Sequence, residues 1–370
     1  MTGPVTGPMT GPPVVFLGPT LSRDRARQEL DAEYLSPVQL GDVWRLSQEQ
    51  PRAIGIVDGY FDRVPAVRHK EILFAMSRGI PVYGSASMGA LRGAELAAFG
   101  MVPVGAIATA FLRGELTCDD EVALMHSDGA TGYRAFSEPL VNVRATVAAA
   151  LAAGVVARQS AAAIVEHARH LDYPDRAWDF ILERAPADGA DIEALKRWLP
   201  AGRVDQKERD AIAMLQRMRA DLGDGDRPPS APIAFTPTVV WREFVRQETP
   251  LAAILEEFLL ADPLSPALRS AVARAQRDEP VDWLAVLEAE PGWRERCRRA
   301  RQKQACRPVV PSQQGEADGL LSWFFGERLG WPGDLAAFLR ERGWTDPDCV
   351  LAVAAREAAL VKPEPASAAS

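Results

Sequence analysis

The stretch Gly79-Ile-Pro-Val-Tyr-Gly-Ser-Ala-Ser-Met-Gly-Ala-Leu-Arg-Gly-Ala-Glu-Leu-Ala-Ala-Phe-Gly100 decides the fold class. A short apolar run, Ile80 to Tyr83, breaks at Gly84 into small residues, and a helix-period segment follows at once and stops at Gly100. Strand, tight turn and helix form the context in which a Ser-x-Ser-x-Gly sequence acts like a nucleophile elbow, the turn lifting one hydroxyl above the sheet edge. The amides of the first helical turn have no internal partner and point at any anion placed there. Ser87 is therefore the candidate nucleophile, with Ser85 beside it and the amides of Met88 and Gly89 as oxyanion donors. The plain alternative is that Ser85 or Ser87 merely caps the helix.

The same alternation runs through the first half of the chain. Val14 to Leu17 is a buried strand ending in Gly18-Pro19-Thr20, and Ser22 caps a helix over Arg23 to Glu33. Tyr34 to Val38 is a second strand, followed by a helix around Asp42 to Gln48. Ala53 to Val57 is a third strand ending at Asp58-Gly59-Tyr60, and Pro65 to Arg78 is helical. Short β-rich runs separated by helices signal right-handed crossovers and a parallel sheet. The expected class is α/β, a parallel sheet with flanking helices and a Rossmann- or flavodoxin-like core. Ligands in such sheets sit at the carboxyl ends of the strands, here Gly18 to Thr20, Asp58 to Tyr60 and Gly84 to Ser87.

From about Pro139 the pattern is helical, with helices over Val141 to Val156, Ser160 to His170, Ala190 to Trp198 and Gln206 to Leu222. Residues 223–233 read as a linker by composition. Further helices follow at Val239 to Gln247, Leu251 to Leu260, Pro266 to Arg277 and Asp334 to Arg342, so the C-terminal region is all-helical. The expected organisation is a disordered tail over 1–13, where Thr-Gly-Pro repeats three times, then an α/β core with helical extension over 14–222. After the linker come a helical domain over 234–360 and a disordered tail over 361–370. Six of the nine tryptophans lie after the linker, where packing into that region's own core is the plain reading and a partner-docking groove the other.

Bulk properties narrow the function. The 370 residues suffice for two domains, and 47% apolar content can bury a core in each. A net charge of −8 argues against a nucleic-acid partner. No apolar stretch approaches the ~18 residues of a membrane span, and the N-terminus has no signal-peptide pattern. Four scattered cysteines without Cys-x-x-Cys spacing fit a reduced, cytoplasmic protein with no structural zinc. No cofactor is expected either: there is no Walker loop, and Gly84 to Gly89 does not match Gly-x-Gly-x-x-Gly.

Other constellations each carry a structural alternative. His69, Ile72, Leu73 and Met76 fall at i, i+3, i+4 and i+7, which puts His69 on the sheet-facing stripe of its helix. There it is either a satisfied core histidine or the base that a serine nucleophile needs. Asp119-Asp120-Glu121 precede a strand-like Val122 to Met125 running into His126; the carboxylates form a solvated loop, orient a histidine or hold a cation, though the spacing fits no EF-hand loop. Pro139 starts a helix on which Asn142 and Arg144 can face a ligand, Glu138 serving as its cap. His167 and His170 lack a third metal ligand in sequence and read as surface residues. The basic run Arg294 to Arg307, containing Cys297 and Cys306, is a solvated helical face or a dock for an acidic protein.

These residues resemble a known family. Val15 to Leu21, Asp58 to Phe61, His69 to Leu73, Gly84 to Leu96 and Phe99 to Met101 look like the TfuA-like core domain. So do Asp119 to Val122, Ser137 to Arg144, and Asp205-Gln-Lys207 with Asp210. The resemblance covers residues 14 to about 220, in order. It implies partnership with a YcaO enzyme, which activates a peptide amide with ATP, in forming thioamides on peptides, including ribosomally made natural products. The resemblance implies either sulfur delivery from the thiocarboxylated C-terminus of a ThiS-like carrier protein, or a non-catalytic role as an adaptor that recruits or allosterically activates YcaO; the precursor peptide is a further possible partner.

Releasing sulfide from a thiocarboxylate is acyl transfer, a hydrolase-like reaction that needs a nucleophile, a base and amide donors. Ser87, His69 and Asp58 are the candidate catalytic residues. Ser85, Met88, Gly89, Arg92, Glu95, Asp120, His126, Asn142 and Arg144 are the candidate oxyanion or substrate residues, and His126 is the second candidate base. A relay through Cys118 is the thiol alternative.

Overall fold

Short β-branched runs separated by amphipathic helices pair side by side in the computed structural model, which describes residues 11–61, 64–223, 233–249, 251–260, 264–277, 279–305, 320–325, 335–344 and 347–361. The elements begin β1 (Val14–Phe16), α1 (Arg23–Glu29), β2 (Glu33–Leu35), α2 (Asp42–Ser47), β3 (Ile54–Ile56), α3 (His69–Ser77), β4 (Val82–Ser85), α4 (Met88–Leu96), β5 (Val102–Val104) and α5 (Ala106–Leu112). All pairings are parallel, in the order β2-β1-β3-β4-β5. That is the flavodoxin-like order of doubly wound sheets, whose direction of winding reverses between β1 and β3. The expected α/β class is therefore the observed one.

Alternation along the strands fills two opposite faces. Val14, Phe16, Ile54, Ile56 and Val82 face a core completed by Val43 and Leu46 of α2, and by Ile72, Ala75 and Met76 of α3. Val15, Leu17 and Tyr83 face the other core with Ala26 of α1. Each fully buried Ile or Val contributes on the order of 1.5–3 kcal/mol, so the sheet centre is held largely by its own β-branched side chains. The fifth strand was not expected from sequence. Pro103 sits at its centre, and proline is tolerated in strands only at edges or bulges; β5 is the sheet edge.

The helices after α5 are α6 (Leu140–Ala152), α7 (Arg158–His170), α8 (Trp178–Arg184), α9 (Gly189–Gly202) and α10 (Gln206–Gly223). Helices α6 to α9 bury a separate cluster built on Val143, Val147, Ile164, Ile181 and Leu195. Helix α10 then returns to the sheet: its Ala211, Met214, Leu215 and Met218 complete the second face. The return brings the start of α10, 120 residues later in sequence, back to Ser87. Val122 to Met125, read from sequence as strand-like, is loop after a 3₁₀ turn at Asp119–Glu121, and His126 forms only an isolated bridge with Ala135.

Two glycines set the close approach of α4 to the sheet. A Cβ on Gly84 would lie 2.1 Å from the Gly89 carbonyl oxygen, and one on Gly89 would lie 1.7 Å from the Ile56 carbonyl oxygen. Both obstacles are backbone and cannot rotate away. Gly89→Ala is therefore expected to destabilise the protein by more than about 3 kcal/mol; urea unfolding reads this, and an unchanged midpoint would show that α4 can shift.

The chain divides into units Met1–Thr236 and Pro237–Ser370. Within the first, residues 233–236 lie against α3: the Phe74 and Phe235 rings are 5.3 Å apart, and Lys70 donates to the Thr236 carbonyl at 2.7 Å. The expectations for residues 1–10, 224–232 and 362–370 lie outside the described residues. The second unit contains α11 (Val239–Glu248), α12 (Leu251–Leu259), α13 (Pro266–Ala275), α14 (Trp283–Glu288), α15 (Trp293–Ala305), α16 (Leu335–Glu341) and α17 (Pro347–Val361). Trp241 is buried there, and Trp283, Trp293 and Trp344 pack on the unit's own apolar clusters.

The basic run of α15 is not simply a solvated face. Buried Lys303 pairs with Glu256, Glu257 and Glu357, and Arg299 pairs with Glu257 and Glu357. Arg296 lies over the Phe258 ring at 4.6 Å. The charges are spent inside the helical unit because α12 and α17 bring glutamates to meet them; Arg298, paired with Glu295, remains outside. Cys297 is buried there and its thiol is pushed up to about 12 by desolvation, which makes it inert.

Candidate functional site

The turn between β4 and α4 is strained in the way a nucleophile turn requires. Ala86 adopts φ +62, and Ser87 has φ −123 and ψ −124. A non-glycine residue in the left-handed region costs on the order of 1 kcal/mol and persists only where its surroundings impose it. Here Ser87 N donates to the Ser85 carbonyl at 2.7 Å, and Gly89 N donates to the Val57 carbonyl at 3.2 Å, pinning the turn on both sides. Ser87 makes no side-chain cap bond to α4. Its Oγ lies 3.1 Å from Lys207 Nζ.

Lys207 stands in the first turn of α10 and is 2% exposed. Its Nζ donates to the Val122 carbonyl at 2.9 Å. Burial pushes its pKa below the usual lysine range; Asp58 and Asp205 pull the other way without reversing the shift. The positive end of α10 adds to the cost of an ammonium there. A neutral amine accepts the serine proton on its lone pair while still donating to Val122, which is how a Ser–Lys pair makes an alkoxide.

Asn142 holds this lysine in place. Its Oδ1 accepts from Gln206 N at 2.9 Å and Lys207 N at 3.1 Å, and its Nδ2 donates to Asp205 Oδ1 at 3.0 Å. One buried amide of α6 thus clasps the start of α10. Removing it leaves two helix-start amides without their acceptor, worth on the order of 1–3 kcal/mol. Asn142→Ala is expected to lower kcat about tenfold with little change in KM; a change confined to KM would show that Asn142 touches substrate instead.

A cleft of about 180 Å³ opens over Ser87 and Lys207 at the carboxyl ends of β1, β3 and β4. Asp58, Gly59, Tyr60, His126 and Tyr173 help to line it. Asp58 accepts from Gly18 N at 2.8 Å, Thr20 N at 3.1 Å and Thr20 Oγ1 at 2.6 Å, so its carboxylate ties the ends of β1 and β3 together and reaches Lys207 only through its field. His126 Nδ1 lies 2.6 Å from the Ser127 carbonyl. Its ring sits between Tyr60 and Tyr133, with centroids at 6.4 and 5.7 Å.

Several candidates fall elsewhere. His69 lies outward on α3, 47% exposed at the side chain, with Nε2 2.7 Å from Glu95. The helix begins only at His69, so its first residue splays from the stripe of Ile72, Ala75 and Met76, and the buried acid of that turn is Glu71. Arg92 donates to Glu95 and to the Val67 carbonyl, so Arg92, Glu95 and His69 form a surface tie between α3 and α4 rather than a wall of the cleft. Ser85 is fully buried, on the sheet face of Tyr83, with no partner for its Oγ. The Gly89 amide is spent on the Val57 carbonyl, so of the two oxyanion donors expected from sequence only the Met88 amide remains a candidate.

The carboxylates of Asp120 and Glu121 support the loop instead of facing a ligand. Fully buried Arg176 holds Asp120 at 2.6 Å, and Arg144 holds Glu121 through two bonds of 2.8 and 3.0 Å. Together they fix the loop that presents the Val122 carbonyl to Lys207. No cluster of three or more metal-ligating side chains occurs among the described residues. Cys118 is exposed and is not among the cleft-lining residues.

Lys207 is not among the site residues expected from sequence. The signal was present: Lys207, Asp210, Ala211, Met214, Leu215 and Met218 fall on one buried stripe of α10, and a lysine in the phase of an apolar stripe is out of place on a solvated face.

Residues 58–177 match the family model described as TfuA-like protein. The match contains Asp58, Ser87, Val122, His126 and Asn142, while Lys207 lies beyond it. It supports a role in a YcaO-associated pathway. No curated protein matches the chain. Among the described residues no helix is long and apolar enough to cross a membrane.

Proposed function

We propose that this protein delivers sulfur to a YcaO enzyme during peptide thioamidation by hydrolysing the thiocarboxylated C-terminus of a ThiS-like carrier. The observation that carries the reading is the 3.1 Å approach of buried Lys207 Nζ to Ser87 Oγ on a strained turn. Lys207 takes the serine proton as Oγ adds to the thiocarboxylate carbon, and the Met88 amide faces the developing oxyanion. Lys207 then returns the proton to the departing sulfur, which leaves as hydrosulfide. Water cleaves the acyl-serine with Lys207 again as base, regenerating Ser87 and a carboxylate tail. A narrow cleft suits a thin, extended tail threaded from a folded carrier.

The test is to incubate the full chain with a thiocarboxylated carrier, without YcaO or ATP, and to measure sulfide. Release at a rate that Ser87→Ala abolishes supports the reading. No release, together with full stimulation of YcaO by the Ser87→Ala protein, gives the adaptor role instead.

A further inference from the structure

We propose that residues 125–136 are a flap that shuts the cleft over Ser87 and Lys207, latched by the rings of His126 and Tyr133 against Tyr60, and that lifting it admits the acyl tail. That the entrant is a carrier tail rests on the proposed function; the latch does not.

The flap is a small hairpin bonded to itself. Ser127 N donates to the Arg134 carbonyl at 2.9 Å, Phe136 N donates to the Met125 carbonyl at 2.8 Å, and His126 bridges Ala135 in antiparallel register. Asp128 closes the tip by accepting from Thr131 N at 3.1 Å. Apart from a polar contact between the Tyr133 and Tyr60 hydroxyls, the hydrogen bonds of residues 125–136 end within residues 125–137 among the described residues. Residues 128–132 and 134–136 are exposed. A segment with so few buried contacts opens at low cost.

Its two ends, by contrast, are fixed. Buried Arg176 donates to Asp120 Oδ2 at 2.6 Å before the flap, and its carbonyl accepts from Glu138 N at 2.6 Å after it. Ser137 Oγ accepts from Met125 N at 2.8 Å across the hinge. Firm hinges beneath a loosely held tip are the build of a lid.

The inner strand walls the cleft and meets the sheet at Tyr60. Residues 122–128 line the cleft beside Ser87 and Lys207, each only 2% exposed. The His126 ring lies 6.4 Å from that of Tyr60 and 5.7 Å from that of Tyr133, separations at which aromatic pairs attract. Tyr60 N donates to the Val38 carbonyl at 3.1 Å, so its half of the latch stands on the sheet. Tyr133 is held at φ +57, a conformation that a bulky residue keeps only where its surroundings impose it. Gly129 leaves room for it: a Cβ there would lie 2.8 Å from the Tyr133 hydroxyl oxygen. The tip is built to aim one aromatic side chain.

The test reads access to position 87 without any substrate, in the full-length chain carrying Ser87→Cys. Alkylation by iodoacetamide is followed by peptide mass spectrometry, with exposed Cys118 as the reference. Position 87 is expected to react on the order of 10²-fold more slowly than Cys118, and to gain at least about tenfold when Tyr60→Ala or Tyr133→Asn is added. Asparagine tolerates the left-handed backbone while removing the ring. Ser47→Cys, at a fully buried position of the same unit, reports opening of the whole fold and should be unmoved by either latch variant. Reaction at position 87 as fast as at Cys118, no gain in either latch variant, or an equal gain at position 47 overturns the flap. Sulfide release is measured separately on the wild-type chain. A flap that opens as expected in a protein releasing no sulfide removes the proposed function alone, and unmoved labelling beside sulfide release removes the flap alone.

Discussion

Ser87→Ala is expected to reduce sulfide release from a thiocarboxylated carrier by on the order of 10³-fold or more, leaving the residual catalysis of the amide donor and the cleft. Lys207→Met is expected to fall to the same level, and the double variant no lower. Nucleophile and base act as one unit across the 3.1 Å contact, so their losses do not add. His69→Ala is the contrast: its imidazole is spent on Glu95 at the surface, and its rate should stay within a few-fold of wild type. Ser85→Ala should be similarly mild, because its hydroxyl is buried on the other sheet face without a partner. Neither Ser87→Ala nor Ser85→Ala removes much buried apolar surface, so the unfolding midpoint should move little. Sulfide assays on the panel, with thermal unfolding as control, check the set. Wild-type release from Ser87→Ala with loss in Cys118→Ser would replace serine acyl transfer by a thiol relay.

The parts of this molecule that local sequence reveals are those where one segment makes its own signal. The β4 turn was legible because Ile80 to Tyr83, Gly84 and the following helix lie within some 20 residues of one another, and the three strand ends that meet at the cleft each follow a buried run directly. The base was not legible in the same way. A serine nucleophile advertises itself through its turn, but its partner need only be adjacent in space, and α10 returns to the sheet only after α6 to α9 have built a separate cluster. Histidine was the natural guess because its ordinary pKa needs no adjustment; a lysine serves only once burial has shifted it, and burial belongs to the folded state. For the same reason the Asp119 to Glu121 run left a solvated loop, a histidine-orienting carboxylate and a cation site open alike, whereas Arg144 and Arg176 hold Glu121 and Asp120. The basic run of α15 likewise read as a surface, although α12 and α17 supply the glutamates that draw it inward. Charge pairing over tens of residues leaves no periodic trace.

The pH dependence separates Lys207 from any other base and has a definite sign. Burial lowers the Lys207 pKa in the folded protein below its unfolded value near 10.5. The reactive form is the neutral amine, so sulfide release should rise with pH through the lowered pKa, tenfold per unit on the acid limb, and level off above it. The same shift governs stability. Between the folded and unfolded pKa values the unfolded chain binds more protons, so folding stability gains from this group as pH rises through that window. Below the folded pKa an ammonium must be held without water, and the penalty is complete; above about 10.5 it vanishes. Lys207→Met removes the group, so the difference between its urea midpoint and that of the wild type should favour the variant most at the acid end and decline toward alkaline pH. The Val122 carbonyl loses its donor in that variant, which lowers its stability by a nearly pH-independent amount. The diagnostic quantity is therefore the slope of the difference with pH. A flat difference from pH 5 to 10 would mean that Lys207 stays charged throughout, and a charged lysine cannot take the Ser87 proton.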